Sequence, residues 1–198
     1  MRPQCELHSK RLRLRPLVLA DAPDIFAYAS DPCVIKFVGW ETHRSVSDSV
    51  AFIERTQSVY WQGITFGVEL AEQRRIIGTF ELRITSRAEG VGNIGYVLAR
   101  PFWGQGYNVE AGIALLCYAF RIELLRRIEA RCAVQNRRSF RTLEKLGMRR
   151  ERFVVFSTGE ETGHAAFLCY SLTRSEWARH PMHSSWRHQI RIHHLSRS

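Results

Sequence analysis

The stretch 94–111, IGYVLARPFWGQGYNVEA, constrains the fold most strongly, because a glycine-rich turn joins a strand pattern to a helix pattern. Gly104 and Gly106 stand one residue apart before a helix predicted from about Val109 to Ile122. Glycine at such a turn indicates a positive φ or a ligand that comes very close to the backbone. The first N–H groups of a helix lack intrahelical acceptors, so phosphate oxygens bind there. The turn predicts a phosphate site, although it matches neither GxGxxG nor the GK[ST] loop.

The rest of the chain alternates strand and helix patterns, with strands in the majority. The predicted strands are RLRLRPL (11–17), TFGVELA (65–71), RRIIGTFELRIT (74–85), EGVGNIGYVLA (89–99), RRIEARCAV (126–134), RRERFVVFST (149–158) and HAAFLCYSLT (164–173). The predicted helices are ADAPDIFAYAS (20–30), SVSDSVAFIERTQSVYW (45–61), residues 109–122 and SFRTLEKLG (139–147), the last ended by Gly147. This order favours a mixed sheet covered by helices, an α+β (mixed α/β) domain.

Length and composition indicate one domain over residues 1–179. The segment 180–198 is basic and holds five of the eight His, and we expect it to be flexible or ordered only by packing on another surface. The chain has no run of about 18 apolar residues, and no apolar N-terminal segment that would indicate a secretory signal. Its five cysteines are scattered without a CxxC pair, which favours reduced thiols in a cytoplasmic protein and no metal site.

The formal net charge is +10, and the excess is local. Residues 121–152 hold ten Arg and one Lys against four Glu. Such a segment favours an anionic ligand: nucleic acid, a phosphorylated cofactor or an acidic partner.

Two motifs in this order resemble the acetyl-coenzyme A site of the GNAT N-acetyltransferases: residues 94–111 and, about 25 residues later, NRRSFRTLEKLGM (136–148). The stretches RLRLRPLVLADAPDIFAYASDP and YSLTRSEW are similar to the branch of RimJ/RimL-type ribosomal-protein alanine acetyltransferases. The resemblance covers about residues 9–178. It implies a central mixed, mostly antiparallel sheet of about seven strands, splayed between the fourth and fifth and flanked by about four helices.

The family's pyrophosphate loop is written Gln/Arg-x-x-Gly-x-Gly/Ala. Trp103 takes its first position here, Gly106 its middle glycine, and Asn108 the last position, where a small residue is expected. The side chain of Asn108 would therefore crowd the cofactor or donate a further bond to it. The resemblance implies acetyl-CoA as co-substrate, with Arg141 near its 3′-phosphate. The implied cofactor-binding residues are Tyr96, Val97, Leu98, Trp103, Gly104, Gln105, Gly106, Tyr107, Asn108, Asn136, Ser139 and Arg141.

The implied reaction is direct attack of a primary amine on the thioester carbonyl, which needs a neutral amine, donors for the oxyanion and a proton for the leaving thiolate. Members of the family use a Ser three residues after the Asn, and this spacing gives Asn136 and Ser139. Ser139 is therefore the candidate catalytic proton donor. As the alternative, it is only the N-cap of the following helix. Some relatives use a Tyr on that helix, where this chain has none.

The base is less clearly marked. Glu69 and Glu81 lie on central strands, and we take Glu81 as the catalytic candidate, the alternative being a solvent-facing carboxylate. Asn93 stands where relatives often have Glu, and His164 lies near the position of an acid in the last hairpin. A site without a clear base favours an amine that is already partly neutral. At pH 7 about a tenth of an α-amine is neutral, but only about 0.04% of a lysine amine is, so the α-amine is favoured.

The resemblance thus predicts an N-acetyltransferase that acts on a protein N-terminal α-amine or on a small-molecule amine. It also allows ribosome association and a homodimer, without a membrane. Two alternatives stay open: a non-catalytic acyl-CoA-binding member of the family, and a basic protein that binds nucleic acid or the ribosome.

Overall fold

A computed structural model describes residues 3–58, 63–157, 164–181 and 189–195, and the strands in these residues form one sheet. The strands are β1 (Cys5–His8), β2 (Leu12–Arg15), β3 (Gly63–Leu70), β4 (Arg75–Ser86), β5 (Val91–Leu98), β6 (Arg127–Ala133), β7 (Arg149–Ser157), β8 (His164–Thr173) and β9 (Arg191–His194). Their order across the sheet is β7-β8-β6-β5-β4-β3-β2-β1-β9. All neighbours are antiparallel except β5 and β6, which are parallel.

Helices cover both faces of the sheet. They are α1 (Ala22–Ala29), α2 (Pro32–Ile35), α3 (Val46–Gln57), α4 (Tyr107–Arg121), α5 (Arg137–Lys145) and α6 (Arg174–Arg179). Helix α4 is buried from Glu110 to Phe120 and packs with one face of the strands in the larger core. Helices α1, α2 and α3 form a second core on the other face. Adjacent strand residues divide between the two cores, as the pleat requires: Ile77 packs with α4, and Ile76 packs with α1.

The mixed α/β class and the mostly antiparallel sheet are confirmed, and all seven predicted strands are present. Two strands were not predicted: β9, at an edge of the sheet, and β1 beside it. Within the segment 180–198, which we expected to be flexible or ordered by packing on another surface, Arg191–His194 is ordered by pairing with β1 from Cys5 to His8. Ile190, just before it, is 4% exposed. This part of the segment is therefore a strand of the domain, and the predicted domain end at residue 179 lies too early.

The splay lies between β5 and β6, the fourth and fifth of the seven predicted strands. These two strands pair only at Val91–Arg127, Gly92–Ile128 and Asn93–Glu129, and they separate beyond that point. Helix α4 begins just after β5 ends, so its N-terminus lies at the opening. None of the helices in the described ranges has the length and apolar character needed to span a bilayer.

Candidate active site

The splay opens a cleft of about 1380 Å³. One face of the sheet contributes lining residues from α2, α3 and β4, and the other contributes residues from the first turn of α4 and from α5. Pockets for one small ligand commonly measure about 300–1,000 Å³. The cleft therefore has room for a cofactor and a second ligand.

The glycine turn presents an open backbone at the start of α4. After a short 3₁₀ turn (Arg100–Phe102), Gly104 and Gly106 adopt φ angles of 77° and 82°, which strain any L side chain. A Cβ on Gly104 would meet no atom within 4 Å, and one on Gly106 would meet only Nη2 of Arg11, at 3.6 Å. Both explanations for the glycines therefore hold: the turn needs positive φ, and its surface is open to close approach. This surface fits the diphosphate of a nucleotide cofactor.

Arg11 and Glu110 tie the turn to the other end of the sheet. The Glu110 carboxylate is 2% exposed and accepts hydrogen bonds from the Ser9 hydroxyl and the Arg11 N–H, both at 2.8 Å, and from Arg11 Nε at 2.7 Å. Arg11 Nη1 donates to the Gln105 carbonyl oxygen at 3.1 Å, and the guanidinium lies 4.2 Å from the Tyr107 ring centre. This ion pair, buried at Glu110 and 39% exposed at Arg11, fixes the turn and places the guanidinium beside it.

Three further contacts hold the turn on its other side. Trp103 Nε1 donates to the Leu98 carbonyl oxygen at 2.6 Å, and the Arg138 guanidinium lies 4.7 Å from the Trp103 ring centre. The side chain of Gln105 turns back to donate to the Pro101 carbonyl oxygen at 2.8 Å. Trp103 thus joins β5, the turn and α5.

The end of β5 directs backbone donors into the cleft. Ala99 N donates to the Ile77 carbonyl oxygen of β4, at 2.8 Å. Because hydrogen-bonding directions alternate along a strand, the N–H groups of Tyr96 and Leu98 point away from β4, toward the splay. Beyond Asn93, β6 no longer pairs with β5 on that side. These N–H groups can donate to a ligand carbonyl or amide oxygen.

Asn136, Ser139 and Tyr96 meet at the splay. Asn136 is the N-cap of α5, and its Oδ1 accepts from Ser139 N at 3.1 Å. The alternative that Ser139 is the N-cap is therefore wrong, since α5 begins two residues before it. The Tyr96 hydroxyl lies 2.9 Å from Ser139 Oγ and 3.0 Å from the Ser139 carbonyl oxygen. Tyr96 stacks on Phe80 at 4.9 Å, and burial raises the pKa of its hydroxyl above the usual value. Tyr96 thus stays protonated at neutral pH.

The three candidate bases, Glu81, Glu69 and His164, differ in their position relative to the cleft. Glu81 lines the cleft, lies opposite Gly95 in the β4–β5 register, and accepts a hydrogen bond from Arg83 Nη2 at 2.9 Å. Glu69 is buried between Arg13 and Arg15, with Arg15 Nε at 2.6 Å, and is not part of the cleft lining. Because Glu69 does not line the cleft, it is not placed to take a proton from an amine bound there. The side chain of His164 lies outside the described residues.

Asn108 and Arg141 complete the predicted set. Asn108 Oδ1 is buried and has no hydrogen-bond partner within the described part of the chain. A buried amide without a partner is costly, and a rotated Asn108 amide can donate to a phosphate instead. Arg141 is exposed on α5 and lines the cleft.

The structure brings nearly all the predicted site residues to one cleft. Of the set, only Gln105 does not line it. The lining residues are Glu81, Tyr96, Val97, Leu98, Trp103, Gly104, Gly106, Tyr107, Asn108, Asn136, Ser139 and Arg141. Two features of the site were not predicted: the Arg11–Glu110 pair, whose members lie 99 residues apart, and the hydroxyl contact of Tyr96 with Ser139. The strand pattern carries no signal for the second.

An open helix N-terminus beside a gap in a sheet defines a site for a phosphate-bearing cofactor and a second ligand. The family model described as the acetyltransferase (GNAT) domain matches residues 11–149. The N-acetyltransferase p20 of Bacillus licheniformis, itself uncharacterized, is 32% identical over 147 residues, which are 73% of this chain and 83% of p20. The chain belongs to the GNAT acetyltransferase family and is an acetyl-CoA-dependent acyltransferase.

Solved structures agree with this fold. A GNAT-family acetyltransferase from Bacillus anthracis has a TM-score of 0.77 at 25% identity, covering 86% of this chain and 99% of that one. The microcin C7 self-immunity acetyltransferase MccE, solved with acetyl-CoA and AMP, has a TM-score of 0.71 at 22% identity, over 83% of this chain and 93% of MccE.

Proposed function

We propose that the enzyme transfers the acetyl group of acetyl-CoA to a primary amine, either a protein N-terminal α-amine, as in the RimJ/RimL-type branch, or a small-molecule amine. The observation that carries this proposal is the open position at Gly95. A Cβ there would meet no atom within 4 Å, and Gly95 lies between the Glu81 side chain and the edge of the splay. An amine can approach the end of β5 through this space.

Acetyl-CoA supplies the acetyl group as an activated thioester. We assign its diphosphate to the N–H groups of the turn between Trp103 and Asn108, and its 3′-phosphate to Arg141. The N–H groups of Tyr96 and Leu98 bind the arm that carries the thioester. In this arrangement Glu81 accepts a proton from the amine, directly or through one water.

Ser139 is the proposed proton donor to the leaving thiolate. When the Tyr96 hydroxyl donates to Ser139 Oγ, the Ser139 proton is free to point into the cleft. Because its pKa is raised, Tyr96 keeps its own proton and holds Ser139 Oγ by this 2.9 Å hydrogen bond. After the thiol leaves, Ser139 Oγ takes a proton from water in the open cleft, and the proton held by Glu81 passes to water. The pair replaces the tyrosine that some relatives carry on the following helix.

Two solved structures name contrasting acceptors. A Vibrio cholerae protein described as a ribosomal-protein-serine acetyltransferase has a TM-score of 0.75 at 22% identity, over 87% of this chain and 99% of its own. A spermidine N-acetyltransferase of Vibrio cholerae, solved with CoA and spermine, has a TM-score of 0.73 at 20% identity, over 85% and 99%. At these identities the likeness supports the fold alone, and both acceptor classes are consistent with it.

The five cysteines are free thiols, four of them buried, which supports our proposal that the enzyme acts in a reducing cytoplasm. Ribosome association and a homodimer stay predictions.

Two variants separate cofactor binding from chemistry. Gly106→Trp places a large side chain on the open turn, so acetyl-CoA should no longer raise the melting temperature. Ser139→Ala leaves the turn intact, so acetyl-CoA should still raise the melting temperature, while thiol release slows at least tenfold, the order expected for a lost proton donor.

Melting scans with and without acetyl-CoA, together with colorimetric thiol release, measure both effects. Unchanged acetyl-CoA stabilisation in Gly106→Trp would contradict the placement of the cofactor. Wild-type turnover in Ser139→Ala would remove Ser139 from the mechanism.

A further inference from the structure

Apolar side chains line the cleft on the face of the sheet where α1, α2 and α3 pack. They come from α2, from the segment between α2 and α3, from α3 and from β5, and we call them the apolar wall: Val34, Phe37, Val38, Trp40, Phe52 and Val97. Phe37 is exposed, and Val38 and Trp40 are half-buried. The wall therefore presents apolar surface to the cleft, which is typical of a ligand-binding surface.

The apolar wall begins beside the open position at Gly95. Gly95 and Val97 are two residues apart on β5, so their side-chain positions share one face of the sheet and lie roughly 7 Å apart. Val97 belongs to the second core together with Phe52, which identifies this face as the one covered by α1, α2 and α3. Glu81 lies opposite Gly95 on β4 and shares that face. The space at Gly95 is thus bordered by a carboxylate and, one side-chain position further along β5, by the apolar wall.

Trp40 lies in the middle of the wall and is supported from behind. Its ring centre is 6.0 Å from that of Phe52 and 5.1 Å from that of His43. His43 is buried, with its Nδ1 2.8 Å from Ser49 Oγ, and its backbone N–H donates to the Ala29 carbonyl oxygen at 3.0 Å. Because its position is fixed in this way, Trp40 can bind a ligand with little further loss of side-chain freedom.

The contacts that we assign to acetyl-CoA lie in another part of the cleft. They are the N–H groups of the turn between Trp103 and Asn108, the N–H groups of Tyr96 and Leu98 that point toward the splay, and Arg141. Helices α4 and α5 contribute to the larger core, on the face opposite to the wall. The wall is therefore left for the second ligand, which carries the amine.

Two cations lie over rings of the apolar wall. Lys36 Nζ is 5.4 Å from the ring centre of Phe37, and the Arg55 guanidinium is 5.7 Å from the ring centre of Phe52. Positive charge at the wall repels a basic side chain of an acceptor and leaves an apolar one unaffected. The wall thus combines an attraction for apolar groups with a repulsion of cationic ones.

We propose that the acceptor carries an aromatic or large aliphatic side chain on the carbon next to its amine. The amine lies at Gly95 beside Glu81, and the side chain packs on the apolar wall against Trp40. The roughly 7 Å from Gly95 to Val97 matches the reach of such a side chain. This inference rests on the proposed function and names its substrate class: the α-amine of an apolar residue, in a small molecule or at the N-terminus of a protein.

An acceptor panel tests this proposal. The kcat/KM for thiol release is compared for the peptides Phe-Ser-Gly-Gly, Ala-Ser-Gly-Gly and Asp-Ser-Gly-Gly, and for phenylalanine amide and alanine amide. We expect a preference of about tenfold or more for Phe over Ala, in the peptides, the amides or both, because the phenyl group leaves water when it packs on the wall. Equal use of the Phe and Ala acceptors, or a preference for the Asp peptide, would overturn the inference while leaving the proposed function intact.

The two Phe acceptors distinguish the two sources of such an amine. A kcat/KM for phenylalanine amide that equals that of the Phe peptide supports a small-molecule acceptor. A value at least tenfold lower supports the N-terminus of a protein.

Variants at Trp40 identify the surface responsible. Trp40→Ala should reduce the preference for Phe over Ala to less than threefold, and Trp40→Phe should keep most of it. The preference is a ratio of two rates of the same variant, so a general loss of folded enzyme cancels. Phe153→Ala is the matched control, since Phe153 is also an exposed aromatic residue but lies on β7 and not among the described residues that line the cleft. An unchanged preference in Trp40→Ala, or an equal loss in Phe153→Ala, would overturn the inference.

Melting scans show whether the wall binds the cofactor instead. Acetyl-CoA should raise the melting temperature of Trp40→Ala as it does that of the wild type, because none of the assigned cofactor contacts involves Trp40. Loss of this stabilisation would assign the wall to acetyl-CoA and overturn the inference.

A binding measurement keeps the test independent of turnover. Titration calorimetry with CoA present should detect the Phe peptide in the wild type, and at least tenfold weaker binding of the same peptide to Trp40→Ala. If none of the acceptors is acetylated, the proposed function fails, and the affinities of the Phe and Ala peptides alone decide the inference. Equal or undetectable binding of the two peptides would then overturn it.

Discussion

At the scale of single residues, the hydroxyl of Tyr96 explains how the site can work without a tyrosine on the helix after the Asn136–Ser139 motif. It reaches Ser139 from β5, which runs beside the cleft. The strand pattern places Tyr96 on β5, but nothing local indicates that its hydroxyl meets a serine 43 residues away.

The pKa of Tyr96 gives a pH prediction. An unperturbed tyrosine loses its proton near pH 10. Burial raises the pKa of Tyr96, so the protonated hydroxyl persists to higher pH than in the unfolded chain. Tyr96→Phe should therefore lower kcat several-fold, by the same factor at every pH from 7 to 10.

Stopped-flow thiol release across this range measures the ratio of the two kcat values. If Tyr96 ionised at its usual pH, its contribution would disappear toward pH 10 and the ratio would approach one. That result would contradict the assigned hydrogen bond from the Tyr96 hydroxyl to Ser139 Oγ.

At the scale of secondary-structure elements, the first hairpin and helix α4 act together through Arg11 and Glu110. The Arg11 side chain is 39% exposed, and without it Glu110 still accepts from the Ser9 hydroxyl and the residue 11 N–H, so losing Arg11 costs about 1.5 kcal/mol, the scale of one hydrogen bond to a charged group. We expect Arg11→Gln to lower the free energy of unfolding by about that amount and to weaken acetyl-CoA binding. Glu110→Gln in the same chain should recover much of the stability, because the uncompensated charge is gone, but not the binding, because the turn still lacks Arg11.

Urea unfolding and calorimetry of the two single variants and the double variant measure these effects. Independent, additive losses of stability would show that the two residues do not form a functional pair. Normal acetyl-CoA affinity in Arg11→Gln would show that the turn holds its shape without it.

The elements differ in how far the sequence predicts them. Strands β3 to β8 and helix α4 follow from apolar patterns, and the end of α5 follows from Gly147, which adopts a φ of 81°. The cleft was predicted by motif position, since Gly104 and Gly106 mark the start of α4. Helix α2 is only four residues long, too short for a period. β1 and β9 form by pairing between distant segments, and their sequences, CELH and RIHH, carry only a weak strand signal.

At the scale of the whole molecule, β9 protects an edge of the sheet. Ile190 is buried just before β9, and His193 stacks against His8 of β1 at 4.5 Å. Ending the chain after Pro181 should lower the free energy of unfolding by about 2 kcal/mol or more, from the lost burial of Ile190 alone. It should also promote self-association, because the edge of β1 becomes free to pair.

A chain ending after Leu195 is the matched control and should behave as the full chain does. Urea unfolding and sedimentation velocity measure both effects. Acetyl-CoA affinity should not change in either chain, since β9 is at the sheet edge and contributes nothing to the cleft lining. A shortened chain as stable and as monomeric as the full one would contradict this role for β9.

The short parallel contact of β5 and β6 has a mechanical consequence. β5 and β6 pair as strands at three residue pairs and then diverge, so backbone hydrogen bonds fix the angle between the two halves of the sheet only at one end of the opening. A ligand in the opening between β5 and β6 contacts both halves of the sheet and restricts the angle between them. When the ligand leaves, this restriction is lost. Rigidity of the protein is therefore expected to rise and fall once in every turnover.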